Sequence, residues 1–166
     1  MIWAASQGHS DVVKILLNKG ANPLIEDDHG KTALVHALLK NHLQSAQLLY
    51  KGGADLNINL LYAAKRGFPE MVSYLLKQGA DHSWITEKQE TPLILASLAK
   101  NHKCAEILLK QGADPDWTDQ NSLSALNHAV MNGDLEMVNL LLVHSADPNS
   151  TGCLLYTSDA ADDAGS

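Results

Sequence analysis

Residues Thr91 to Asn121 read TPLILASLAKNHKCAEILLKQGADPDWTDQN. Two short apolar runs of helical period are separated by the polar break Lys100-Asn101-His102 and closed by Gly112-Ala113-Asp114. That order predicts a helix, a tight turn, a second helix and an extended exit. The rest of the repeating chain is a better or worse copy of this stretch.

The period follows from setting the chain against itself. Thr91 stands 33 residues after Ile58 and 33 before Ser124, and Gly79 and Gly112, each followed by Ala-Asp, are also 33 apart. A constant period of this length marks a solenoid, in which a unit buries its apolar face only against its neighbours. The pattern resembles the ankyrin repeat family, whose T-P-L-H-x-A signature appears as Thr91-Pro92-Leu93-Ile94-Leu95-Ala96. Looser copies are Thr32-Ala33-Leu34-Val35-His36-Ala37 and Ser124-Ala125-Leu126-Asn127-His128-Ala129. The resemblance covers five repeats, about 1–31, 32–57, 58–90, 91–123 and 124–152. It implies an all-α solenoid of stacked helix-turn-helix units joined by short extended fingers. The slot of the family's signature histidine holds Ile2, Val35, Leu61, Ile94 and Asn127, so the array departs from the family pattern at every copy.

The register predicts which residues are core. Ala4, Ala37, Ala63, Ala96 and Ala129 share one slot, where a methyl lets two helices approach and a larger side chain would overpack. Leu34, Leu60, Leu93 and Leu126 share a second, and Leu16, Leu49, Leu75, Leu108 and Leu141 a third. Cys104 falls with Val12, Ser45, Met71 and Met137 and reads as a small hydrophobe. Gly8, Gly67 and Gly133 occupy the turn slot, with Asn41 in the second repeat and Lys100 in the fourth. A left-handed residue is expected there, which Asn tolerates best after Gly. At Lys100 the expectation is strain, or a shift of the turn onto Asn101. Gly52-Gly53 reads as a helix cap and Pro69 as a first-turn residue. From Thr32 to Ile58 the spacing is 26 rather than 33, so one finger is missing.

Composition narrows the function classes. Aromatics are scarce at 5%, which suits thin stacked helices with a core of aliphatic and small side chains. No apolar run approaches the ~18 residues of a membrane span and no leader pattern opens the chain, so a cytoplasmic location is expected, with the nucleus also open. A net charge of -7 with one arginine, Arg66, argues against a sequence-independent grip on nucleic acid. Two cysteines make no disulfide framework. No two of the eight histidines stand at the i, i+4 spacing of a helical zinc site, and no phosphate loop or Gly-x-Ser-x-Gly elbow is present. The expectation is therefore no metal, no cofactor and no catalytic centre.

From Cys153 the chain loses the repeat register, and residues 153–163 resemble a translated sequencing-library adaptor, to be left out of fold reasoning. Without Asp159, Asp162 and Asp163 the array carries 16 acids against 12 bases.

The resemblance implies that function lies on the concave face formed by finger tips and exposed first-helix positions. Carried onto this chain, the tips are Glu26, Asp28, His29 and Lys31, then Ile85, Glu87, Lys88 and Glu90, then Thr118, Gln120, Asn121 and Leu123. The adjoining helix positions are Lys65, Arg66, Leu98, Ala99, Met131 and Asn132. Trp84 and Trp117 occupy equivalent places at the bases of two fingers, as an aromatic ladder and interface anchors or as structural fillers. Seven finger acids (Glu26, Asp27, Asp28, Glu87, Glu90, Asp116, Asp119) against Lys31 and Lys88 predict an acidic edge favouring a partner with a basic surface. The expected protein is a monomeric, non-catalytic interaction module. The alternative is a targeting or regulatory arm of a larger kinase, ubiquitin ligase or acyltransferase.

The register is testable in one substitution. Ala96→Leu should destabilise the array by about 1–3 kcal/mol through overpacking; an unchanged urea midpoint would show the slot to be misassigned.

Overall fold

The computed structural model describes residues 1–150, which form ten α-helices in two compact units, Met1–Asn59 and the chain from Leu60 onward. The first unit contains α1 (Ile2–Ser6), α2 (Ser10–Asn18), α3 (Ala33–Leu39) and α4 (Leu43–Lys51). Helix α5 (Leu56–Arg66) starts in the first unit and continues into the second, which holds α6 (Pro69–Lys77), α7 (Pro92–Leu98), α8 (His102–Lys110), α9 (Ala125–Met131) and α10 (Leu135–Val143). In the first unit α1 packs on α3 and α2 on α4; in the second α7 packs on α9, α6 on α8 and α8 on α10. First helices thus pack on first helices and second on second, as the period predicts. Among the described residues there is no strand, only two isolated antiparallel bridges, Glu26 to Thr32 and Thr118 to Ser124. The tail from Cys153 and its adaptor-like reading lie outside the described residues.

The helix starts follow from hydroxyl residues at one slot. Thr32, Thr91 and Ser124 are N-caps whose side chains accept the backbone N–H of Val35, Ile94 and Asn127, and Asn127 returns a bond to complete a capping box at Ser124. Ile58 stands in that slot of the third repeat and has no oxygen to offer. There the Asp55 carboxylate accepts from the N–H of Asn57 and Ile58, and α5 begins at Leu56. The helix has absorbed the missing finger, running for 11 residues where α3, α7 and α9 each have 7. The repeat boundary predicted between residues 57 and 58 therefore falls inside a helix. Buried Asn59 secures its base: its side-chain oxygen accepts from the Thr32 hydroxyl and its amide donates to the Asp55 carbonyl.

The predicted core slots are buried, with the first repeat as the exception. The five slot alanines are at most 5% exposed, and Leu49, Leu75, Leu108 and Leu141 are fully buried. Leu16 is only half-buried, and Val12 is 45% exposed where Ser45, Met71, Cys104 and Met137 are buried. Helices α8 and α10 each pack on the second helix before them, and α2 has no such neighbour among the described residues. Burial first, and then the charge of Glu70, pushes the Cys104 thiol up to about 11, in keeping with an inert hydrophobe.

The turns keep their register without glycine. Asn41 and Lys100 adopt φ of 57° and 58°, and Ser145, where a closing glycine stands elsewhere, adopts 69°. The turn does not shift onto Asn101, because the Asn101 side chain is committed elsewhere, its amide donating to the carbonyls of Ala64 and Lys65 at the end of α5. This brings it against the preceding turn, where a Cβ on Gly67 would lie 2.5 Å from the Asn101 side-chain oxygen. Gly8 meets the ring of His42 in the same way. Gly52 makes a different contact, since a Cβ there would meet a Leu17 methyl at 2.7 Å and displace that side chain. His102 places Nε2 2.8 Å from the Asp134 carboxylate, which also caps α10.

Gly67→Ala should therefore cost more than the ~1–2 kcal/mol of left-handed backbone strain alone. Gly79→Ala, also at positive φ but with no atom within 4 Å of the new methyl, should cost only that strain. Urea denaturation of the two variants checks the order.

Candidate protein-binding surface

The fingers are small loops built on one plan. In the first, Asp27 donates its N–H to the Lys31 carbonyl while one carboxylate oxygen accepts the N–H groups of His29 and Lys31, and Gly30 supplies a φ of 70°. In the third, Asp119 does the same with Leu123 and Asn121, and Ser122 takes φ 59°. In the second finger Thr86 replaces the aspartate, its hydroxyl oxygen accepting from Lys88 and Glu90 and Gln89 taking φ 60°. The loops are thus specified by Asx-type bonding and one left-handed residue.

The second carboxylate oxygen anchors the loop to its helix. Asp27 lies 2.7 Å from Nε2 of His36 on α3, and Asp119 lies 2.9 Å from Nε2 of His128 on α9. The N–H groups of Lys31 and then His36 hold the Asp27 carboxyl far below its usual range. For Asp119, burial pulls the carboxyl upward but is outweighed by the bonds from Leu123, His128 and Asn121, so the net shift is down. Sequence reading missed both pairs. The signal was present as covariation within the chain: where the finger residue is Thr86, the helix residue is Leu95 rather than histidine.

This arrangement adds detail to the acidic edge and corrects one tip. Asp27 and Asp119 hold their own loops through hydrogen bonds to histidines, Glu90 accepts from the Thr86 hydroxyl and Asp116 from the Asp147 N–H, so Glu26, Asp28 and Glu87 are the finger acids without such a bond among the described residues. Leu123, proposed at a tip, is 6% exposed, because its N–H and carbonyl both bond Asp119 and turn its side chain into the core.

The remaining predicted residues are accessible. In the first compact unit Glu26, Asp28 and His29 are exposed and Lys31 half-buried. In the second, Lys65, Arg66, Ile85, Glu87, Lys88, Thr118, Gln120, Asn121, Met131 and Asn132 are exposed, and Glu90 is half-buried, accepting from the Thr86 hydroxyl. Lys65 lines a cavity of about 370 Å³ with Thr86, Glu87, Lys88 and Glu90, so helix end and finger tip share one hollow. The Arg66 guanidinium lies over the Tyr62 ring at 5.6 Å.

The second and third fingers are bonded to each other. The Gln120 N–H donates to the Lys88 carbonyl, and the Trp117 indole donates to the Gln89 carbonyl at 2.9 Å. Trp84 and Trp117 do not stack among the described residues, so the aromatic ladder is not formed. The two equivalent rings have different surroundings: Trp117, 37% exposed, braces the fingers, while Trp84, 45% exposed, makes no side-chain hydrogen bond among the described residues. No group of three or more His, Cys, Asp or Glu side chains among these residues is placed to hold a metal ion, and no helix is long and apolar enough to cross a membrane.

The Asp119 anchor gives a pH dependence. Its carboxyl is depressed in the folded chain, so its stabilisation is present above the unfolded pKa of ~3.9 and is lost as pH falls through the lower folded value. Asp119→Asn should cost about 1–3 kcal/mol at pH 7. The gap between variant and parent in urea melts should narrow below about pH 4; a gap constant with pH would show that the carboxylate charge contributes nothing.

Comparison with known proteins agrees with this architecture. Residues 1–59 and 60–152 match the family model for ankyrin repeats, which comprises three copies. The chain is 38% identical over 96 residues to potassium channel AKT2/3 of Arabidopsis thaliana, a match covering 52% of this chain and 12% of the channel. It is 32% identical over 101 residues to the B-cell lymphoma 3 protein homolog of Mus musculus, covering 56% and 22%. To the E3 ubiquitin-protein ligase KEG of Arabidopsis thaliana it is 34% identical over 79 residues, covering 43% and 5%. The matches thus span less than a quarter of each of these relatives. With both matched segments laid end to end over nearly all of its length, and with repeats that stack first helix on first helix, the chain belongs to the ankyrin repeat family.

Proposed function

We propose that this chain is a non-catalytic, monomeric protein-interaction module that engages a partner protein with its fingers and the exposed ends of its first helices. The observation that carries this reading is the pair of fingers at 86–90 and 119–123, which are bonded to each other and hold Trp84 and Ile85 exposed beside them. Tips fixed before the partner arrives lose little entropy on binding. An exposed indole with an uncommitted N–H is the kind of side chain that anchors interfaces. Glu87 and Asp116 on the finger edges of the second compact unit support a partner that brings basic groups to them, with encounter slowed by added salt, and Glu26 and Asp28 offer the same chemistry in the first.

A second reading is favoured by the lengths of the relatives: the matched segment is a small part of a channel and of a ubiquitin ligase. The array would then be the targeting arm of a longer protein, and the same surface would select what that protein acts on. Sequencing the source nucleic acid beyond both ends tests this, and a catalytic motif in frame would favour it.

The two tryptophans separate binding from bracing. With a partner recovered by photo-cross-linking from position 85, Trp84→Ala should weaken its binding about tenfold or more with urea stability unchanged, the size of an interface anchor. Trp117→Ala should lower stability by about 1 kcal/mol through loss of the finger bond. Full binding by Trp84→Ala would remove the finger surface from the interface.

A further inference from the structure

We infer that the floor of this surface in the second compact unit takes a partner segment in which an acidic side chain lies next to apolar ones. The inference rests on the proposed binding role and names the chemistry that role would recognise. It begins with a segregation of charge. Helices α5, α7 and α9 contain no aspartate or glutamate along their whole length, and the only permanent charges they carry are Lys65 and Arg66 at the end of α5. The equivalent positions one and two periods later are Leu98 and Ala99, then Met131 and Asn132, all exposed.

The apolar end is apolar because its polar groups are already satisfied. The Lys100 ammonium, the nearest cation in sequence, donates to the Asn132 carbonyl, and the Asn132 amide donates to the Leu98 carbonyl. These bonds leave Leu98, Val130 and Met131 as exposed side chains, Met131 at 57%. Methionine adapts its shape to an incoming apolar group at small cost.

The cationic end is open in the opposite sense. Lys65 and Arg66 make no salt bridge among the described residues. Arg66 lies over the Tyr62 ring, which orients the guanidinium without neutralising it. The groups facing Lys65 across the hollow are Glu87, Lys88 and Glu90, and Glu90 already accepts from the Thr86 hydroxyl. With Arg66 beside it, this end holds three cations against two acids, and a carboxylate from the partner fits it bidentately on the guanidinium. Finger acids and floor cations thus select different parts of one partner: basic groups at the rim, and an acid followed by apolar side chains along the floor.

The test uses a displayed library of random twelve-residue peptides selected against the full chain, with enriched peptides then labelled and titrated. The expected result is enrichment of Asp or Glu close to Leu, Met or Phe. Lys65→Glu with Arg66→Glu should weaken those peptides at least tenfold, and Met131→Asp should do so independently, with circular dichroism unchanged. Replacing the peptide's acid by lysine should restore binding to the Lys65→Glu, Arg66→Glu variant, a rescue that mere misfolding cannot produce. Peptides that lose binding with Trp84→Ala or Met131→Asp but ignore Lys65→Glu and Arg66→Glu would overturn this inference and leave the finger surface standing. Peptides indifferent to all these changes, or no enrichment, would overturn both.

Discussion

No helix in this chain exceeds eleven residues among those described, and helices that short do not persist alone in water. Within each compact unit the structure therefore depends on equivalent helices of successive repeats holding one another, α1 with α3 and α2 with α4, then α6 with α8, α7 with α9 and α8 with α10. The alanine slot makes that approach possible, since a methyl at Ala63, Ala96 and Ala129 is what permits neighbouring backbones to come close. The turn between the two helices of a repeat is subject to the same constraint. Gly67 lacks a side chain because Asn101 of the following repeat occupies the space while bonding the carbonyls at the end of α5. Apolar packing and polar capping act at the same junction, and both are properties of two repeats rather than one.

The fingers obey a different logic. Each is closed by its own backbone bonds around one oxygen-bearing side chain, Asp27, Thr86 or Asp119, so it does not need a sheet to hold its shape. Aspartate can also reach back to a histidine on the helix, and threonine cannot. The Thr86 finger compensates through its neighbour, since Gln120 and Trp117 donate to the carbonyls of Lys88 and Gln89. Two means of fixing a loop thus appear in one molecule, one to the helix that follows the loop and one to the next finger. Tips held this way are ordered by bonds within the chain itself.

Charge is distributed to match. Among the described residues the acids lie on loops and second helices, whereas the first helices, whose faces are largely buried, carry none. The floor cations at Lys65 and Arg66 sit at the C-terminal end of α5, where positive charge also suits the helix dipole.

The fold, the period, the buried slots of the later repeats and the left-handed turn at Asn41 were legible in the order of residues. They follow from position within the repeat, and a period of 33 states that position directly. Which polar atoms meet was legible there only as a hint, in the joint change of Asp to Thr86 and His to Leu95. The His36–Asp27 and His128–Asp119 pairs, the helical start of α5 at Leu56, the burial of Leu123 and the different roles of Trp84 and Trp117 depend on distances between groups on separate elements. Repeat position gives each residue its side of the solenoid, and burial follows from the side. A hydrogen bond also needs length and direction, and those exist only once the backbone is folded.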